Sequence, residues 1–123
     1  MAKKIVKVKV KCNGCCQDNI LKAKINPPMA GLPPKIAFNH RHTAKVSLGL
    51  DVEVPEGYRL CIALVPNLAE RGIVLTNVPG NFTKGPVEAV LLNAGREIVD
   101  VSDGDAVVTC WLEQVGDFEW ECS

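Results

Sequence analysis

The chain has 123 residues, of which 47% are hydrophobic and 23% charged, and its formal net charge is zero. That length holds one hydrophobic core, and that balance excludes a disordered chain. The apolar runs are all shorter than the roughly 20 residues a membrane-spanning helix needs, and lysines interrupt each apolar pair of the first seven residues, so neither a membrane partner nor a secretory signal is expected.

The charge is unevenly placed. Residues 1–45 carry +9, residues 46–96 carry −1 and residues 97–123 carry −8. Such asymmetry points to a partner or to a contact of the chain with itself. Val6, Val8 and Val10 alternate with Lys7, Lys9 and Lys11, then Asn13-Gly14 signals a turn. Leu21, Ala23 and Ile25 then alternate with Lys22 and Lys24. Residues 1–25 therefore read as a two-stranded hairpin arm with a basic face. Residues 26–35 hold four prolines and read as a linker, because proline fits neither a helix interior nor a strand ladder.

The longest alternation runs through Ala44, Val46, Leu48, Leu50, Val52 and Val54, and Pro55-Glu56-Gly57 ends it. Leu60, Ile62 and Leu64 form the next strand, and Asn67–Glu70 a single helical turn. Ile73–Leu75, Val87–Asn93, Ile98–Val101 and Ala106–Leu112 follow as strands, separated by turns at Ala94-Gly95-Arg96 and Ser102-Asp103-Gly104-Asp105. Short strands at this spacing predict an all-β barrel or sandwich. The barrel is assigned to residues 36–115, and residues 116–123 to an acidic terminal strand or tail.

Cys12-Asn13-Gly14-Cys15-Cys16 carries a Cys-x2-Cys pair. It reads as half a zinc knuckle with His40 and His42 as the remaining ligands, as a disulfide, or as free thiols in a reducing compartment. Cys61 and Cys110 fall within apolar strands and read as core residues. The lysine rows admit three readings: a solvated face, a nucleic-acid contact, or a partner for the acidic row of the tail. The tail reading is preferred, with Lys7, Lys9, Lys11, Lys22 and Lys24 facing Asp117, Glu119 and Glu121, and with Phe118 and Trp120 as apolar anchors. Nucleic acid is disfavoured because the basic segment lacks aromatic residues for stacking.

Residues 44–112 resemble the trimeric dUTPase family. Leu48–Tyr58 is similar to that family's strand and Pro-x-Gly-Tyr turn, and Arg71–Gly80 to its Gly-Ile-x-x-x-Asn-x-Pro-Gly passage. Val87–Gly95 and Ser102–Asp105 are similar to its fourth-motif region. The resemblance implies a distorted jelly-roll β-barrel and a homotrimer with exchanged chain ends. Where the family's second motif has Arg and Ser, this chain has Val65–Ala69. Where its hairpin carries an aspartate and a tyrosine, the chain reads Asn81-Phe82-Thr83-Lys84-Gly85-Pro86, and Ala106 and Thr109 replace the fourth motif's Arg and Gln. From these departures no catalytic residue, metal or cofactor is expected. The resulting expectation is a non-enzymatic homotrimeric decoration or cement protein, bound to a viral capsid protein on the virion. The alternative is a regulatory or host-protein-binding module with a degenerate nucleotide pocket, placed in the cytoplasm.

Overall fold

The computed structural model describes residues 7–12, 19–27, 29–77, 82–116 and 119–121, with the side chains of Lys11 and Cys12 outside that description. Among the described residues nine strands and one short helix follow in chain order: β1 (Lys9–Cys12), β2 (Ile20–Lys22), β3 (Lys35–Phe38), β4 (Thr43–Glu53), β5 (Tyr58–Leu64), α1 (Pro66–Glu70), β6 (Ile73–Leu75), β7 (Lys84–Asn93), β8 (Val99–Ser102) and β9 (Ala106–Gln114). They form three antiparallel sheets, in the orders β1-β4-β7-β6, β2-β9-β5 and β3-β8. This is the all-β architecture expected from the sequence.

The core lies between the sheets and is filled by alternate residues of each strand. Val46, Leu48, Leu50 and Val52 of β4, Leu60 and Ile62 of β5, and Val87, Ala89 and Leu91 of β7 are all buried. Val99 and Val101 of β8 and Phe38 of β3 close one end. Branched side chains suit these positions because they pack on a pleated surface with little rotamer loss. The alternation of β4 survives a register shift between Ser47 and Asp51, where Gly49 takes φ +72° and the Lys24 stem lies over it. A left-handed residue at a bulge is most easily a glycine.

The described strands of residues 1–25 do not pair with each other as a hairpin arm. The strand β1 pairs with β4, and β2 pairs with β9, so the two predicted partners belong to different sheets. Electrostatics gives the reason. Pairing the two basic strands would set lysine beside lysine, which destabilises a sheet. Instead Lys9 lies opposite Glu53 and Lys11 opposite Asp51, while Lys22 lies opposite Ala106. The inward positions Leu21 and Ala23 are buried as the alternation predicted, with Ile25 packed at the core's edge and Lys22 and Lys24 exposed. Val10, by contrast, stays 41% exposed. The Asn13-Gly14 turn, Cys15 and Cys16 lie outside the described residues.

Among the described residues one polar residue is wholly buried. Asn93, at the end of β7, donates from Nδ2 to the carbonyls of Phe38 and Glu97, both at 2.8 Å, and its Oδ1 accepts from Gly95 N–H at 2.9 Å. Three segments thereby meet at one amide: β3, the β7–β8 turn and β7 itself.

Candidate functional site

The β6–β7 connection is mounted on a hydrogen-bonded frame. On the outgoing side, Thr76 N–H donates to Val90 O at 2.8 Å. Beyond it the side chain of Asn77 replaces the backbone ladder: Nδ2 donates to Glu88 O at 3.0 Å, and Oδ1 accepts from Val90 N–H at 3.1 Å. On the returning side, Phe82 and Leu60 exchange backbone hydrogen bonds of 3.0 and 2.8 Å, and Val54 N–H donates to Thr83 O at 2.8 Å. Residues 78–81 lie outside the described residues.

Beside this frame runs an open groove of about 430 Å³, lined by Lys9, Val10, Asp51, Val52, Glu53, Lys84 and Gly85. The register explains its composition. One row across β1, β4 and β7 reads Lys9–Glu53–Lys84, the next Val10–Val52–Gly85, and the next Lys11–Asp51–Pro86. Because side chains alternate, the two charged rows share a face and the apolar row lies on the other. The groove is thus lined by Lys9, Lys84, Asp51 and Glu53 from the charged face, with Val10, Val52 and Gly85 contributing from the row between them. Among the described residues the ion pairs are Lys35–Asp100 and Arg59–Glu113, so Lys9 and Lys84 are not held by the groove's own acids.

A second cluster stands on the outer face of the β2-β9-β5 sheet. Arg59 binds Glu113 Oε2 through Nε at 3.2 Å and Nη2 at 2.9 Å, and the Cys61 thiol donates to the same oxygen at 3.1 Å. The Cys61 hydrogen bond and the Arg59 guanidinium hold the Glu113 carboxyl below its ordinary range. Burial, aided by the Glu113 charge, pushes the Cys61 thiol up, and Cys110 is pushed up by burial. Cys61 is buried as predicted, but on the outer side, beside the 41%-exposed Trp111; Cys110 is partly buried against the core. The sequence reading passed over Arg59 and Glu113; the signal was their opposite charge on two strands that later pair.

Among the described residues the candidate ligands are not brought together. His40 Nδ1 donates to Gly95 O at 2.6 Å and His42 Nδ1 to Ala37 O at 3.1 Å, with His42 also packed on the Phe38 ring. Both lie in the turn before Thr43, whereas Cys12 is paired with Leu50 far along β4. At about 3.3 Å per strand residue these points are roughly 20 Å apart, several times the spread of ligands on one ion. Cys15 lies outside the described residues.

The basic row is likewise divided, with Lys9 on one sheet and Lys22 on another. Lys7, Lys9, Lys22 and Lys24 are exposed; the side chain of Lys11 is outside the description. Glu119, Trp120 and Glu121 are exposed and form no strand, and Trp120 at 85% exposure is not the core anchor expected of it. Asp117 and Phe118 lie outside the described residues. No helix among the described residues is long and apolar enough to cross a membrane.

No family model matches the chain. It is 31% identical over 96 residues to the deoxyuridine 5'-triphosphate nucleotidohydrolase of Anaplasma marginale, covering 75% of this chain and 65% of that protein. It is 28% identical over 102 residues to the protein of the same name from Chlamydia trachomatis serovar L2, covering 77% and 66%. The chain thus spans about two thirds of these relatives, and 54% of the one from Solibacter usitatus, to which it is 32% identical. Among solved structures, the dUTPase of EIAV superposes with a TM-score of 0.68 at 11% identity, over 94% of this chain and 97% of that one. The dUTPase from phage phi11 of S. aureus superposes with 0.65 at 13% identity, over 95% and 96%.

These relatives overturn the expectation of a non-enzymatic capsid decoration protein on the virion, because the proteins it matches are named as hydrolases. The expectation rested on which residues occupy the family's motif slots. It took no account of carboxylates and lysines that separate strands bring together elsewhere, as in the groove. In fold, the chain is a dUTPase-like β-barrel.

Proposed function

We propose that the chain hydrolyses a deoxyuridine nucleoside triphosphate, releasing pyrophosphate. The observation that supports this most directly is the match, over three quarters of the chain, to proteins named deoxyuridine 5'-triphosphate nucleotidohydrolase. Phosphoanhydride hydrolysis asks for a carboxylate to orient water and for cations to meet the charge on the leaving phosphates. In this reading Asp51 and Glu53 orient the water, and Lys9 and Lys84 receive the phosphate chain. The frame built on Asn77 and Phe82 carries the loop against which the nucleoside lies. Copies assemble as a homotrimer, with the outer-face residues Ile20 and Trp111, 44% and 41% exposed, as the apolar surface available for contact. Such an enzyme works in the cytoplasm, where its nucleotide is.

The test is pyrophosphate release from dUTP, with dCTP as control and Mg²⁺ in the buffer. Wild type turns over dUTP in preference to dCTP. Glu53→Gln lowers kcat by about 10²-fold with an unchanged melting temperature, the loss usual for a positioned proton acceptor. Absence of pyrophosphate above the uncatalysed background overturns the reading.

A further inference from the structure

We propose that the barrel end remote from the groove is an anion site, where Arg41, Arg71 and Arg96 together take a short polyphosphate chain. The sheet topology gathers them. β4 and β6 lie on either side of β7 and both run antiparallel to it, so the starts of β4 and β6 and the end of β7 share one end of the sheet. Arg41 stands just before β4, Arg71 just before β6 and Arg96 just after β7. Hydrogen bonds lock the three turns together. Arg41 N–H donates to Asn93 O at 2.8 Å, Ala94 N–H to Gly72 O at 2.9 Å, and His40 Nδ1 to Gly95 O at 2.6 Å. With neighbouring strands about 4.8 Å apart, the backbones of Arg41 and Arg71 are held roughly 10 Å apart across the end of β7. Two side chains as long as arginine's can meet one ligand over that gap.

Composition narrows the ligand. The chain has four arginines, and the fourth, Arg59, is committed to Glu113. The other three are exposed, and none forms an ion pair among the described residues. No lysine lies in these turns. A guanidinium offers a planar fork of donors that matches two phosphate oxygens, whereas an ammonium offers only a point charge. Glu70 and Glu97 are exposed in the same turns. Three arginines against these two acids leave a small positive charge, so the forks rather than bulk charge carry the recognition. Arg41 is also the one non-glycine residue among those described with a positive φ, +66°. Glycine takes that conformation without strain, so what arginine adds at this position is its side chain. Three forks on one compact frame suit several phosphates close together rather than a long strand. The groove lies at the far end of β4, ten strand residues or roughly 30 Å away, so the two sites are separate. The proposal therefore does not depend on the hydrolase reading.

Titration calorimetry with inorganic tripolyphosphate tests it, in a Lys9→Gln, Lys84→Gln chain that silences the groove. That protein binds one tripolyphosphate per chain. Arg41→Gly, Arg71→Gln and Arg96→Gln each weaken binding about tenfold, the scale of a hydrogen-bonded charge, and the triple variant abolishes it. Arg41→Gly separates binding from folding, because the backbone accepts glycine there: the melting temperature stays within a few degrees while affinity falls. Arg71→Lys weakens binding nearly as much as Arg71→Gln, since lysine lacks the fork. Equal affinity before and after the arginine substitutions overturns the proposal. So does tighter binding of a single-stranded oligodeoxynucleotide that grows with its length, which makes the patch a nucleic-acid track. The nucleotide dATP distinguishes the sources of the phosphate chain. Bound as tightly as tripolyphosphate, with the same loss in the arginine variants, it shows that the chain can arrive on a nucleoside. Refused while tripolyphosphate binds, it restricts the site to free polyphosphate; the site stands in both cases. None of these readouts uses turnover, so failure here and failure of the hydrolase assignment are separable.

Discussion

Asn93 shows how much one side chain can decide. A buried amide is tolerated only when its hydrogen bonds are made, and here both carbonyls it serves belong to other segments. Asn93→Ala removes those donors and strands Phe38 O and Glu97 O. Unfolding in denaturant should show a loss of about 3 kcal/mol, the scale of buried groups left without partners. A loss below about 1 kcal/mol would mean that water enters and substitutes. The alternating pattern of β7 was legible in the sequence to this residue, but its role was not. A polar residue closing an apolar run reads as the strand's end, and only the fold brings β3 and the following turn to it. The lysines were legible as exposed charge. Their partners were not, because opposite-strand neighbours depend on pairing, which composition does not encode.

At the scale of elements, the strands most fully legible were those with unbroken alternation. β4 was expected over residues 44–54 and is Thr43–Glu53; α1 was expected as a turn at Asn67–Glu70 and is Pro66–Glu70. The pairing of β1 and β2 was misread because Asn13-Gly14 is a local signal, while the competing partners are strands remote in sequence. Turns also meet in ways no local pattern reveals. Gly72 precedes β6 with φ +90°, and a Cβ there would lie 2.9 Å from Gly95 Cα, in the turn after β7. The Ala94 N–H donates to Gly72 O at 2.9 Å across the same contact. Gly72→Ala therefore combines a left-handed backbone with a clash against main chain. The melting temperature should fall by the equivalent of about 2–3 kcal/mol. Gly104→Ala is the informative comparison: its φ is +87°, but open space surrounds the added carbon, so it should cost less.

Across the whole molecule, the N-terminal strands β1 and β2 are components of the barrel rather than an appendage. Leu21 and Ala23 are 6% and 3% exposed within the core, and β2 completes the sheet that β9 and β5 begin. Removing residues 1–25 opens that core and bares the edge of β9. The truncated chain should lose its cooperative thermal transition, followed by circular dichroism. A transition retained within a few degrees of the full chain's would show the barrel to be independent of β2. The charge asymmetry is also a property at this scale. Its two ends are separated in sequence, and the fold ties Val115, next to the acidic tail, to Gly57 while it sets Lys9 opposite Glu53.

The pairing of β2 with β9 also governs when the barrel can exist during synthesis. Ile20 faces Thr109, roughly ninety residues downstream. At translation speeds of about 5–20 residues per second, β2 waits about 4–18 s for its partner to be made. Through that interval Leu21 and Ala23 have no β9 to cover them, and the basic first third of the chain has emerged without its acidic counterweight. The nascent chain thus passes through a strongly cationic, open-edged stage, and solubility in that stage depends on the same lysines that the finished barrel sets beside carboxylates.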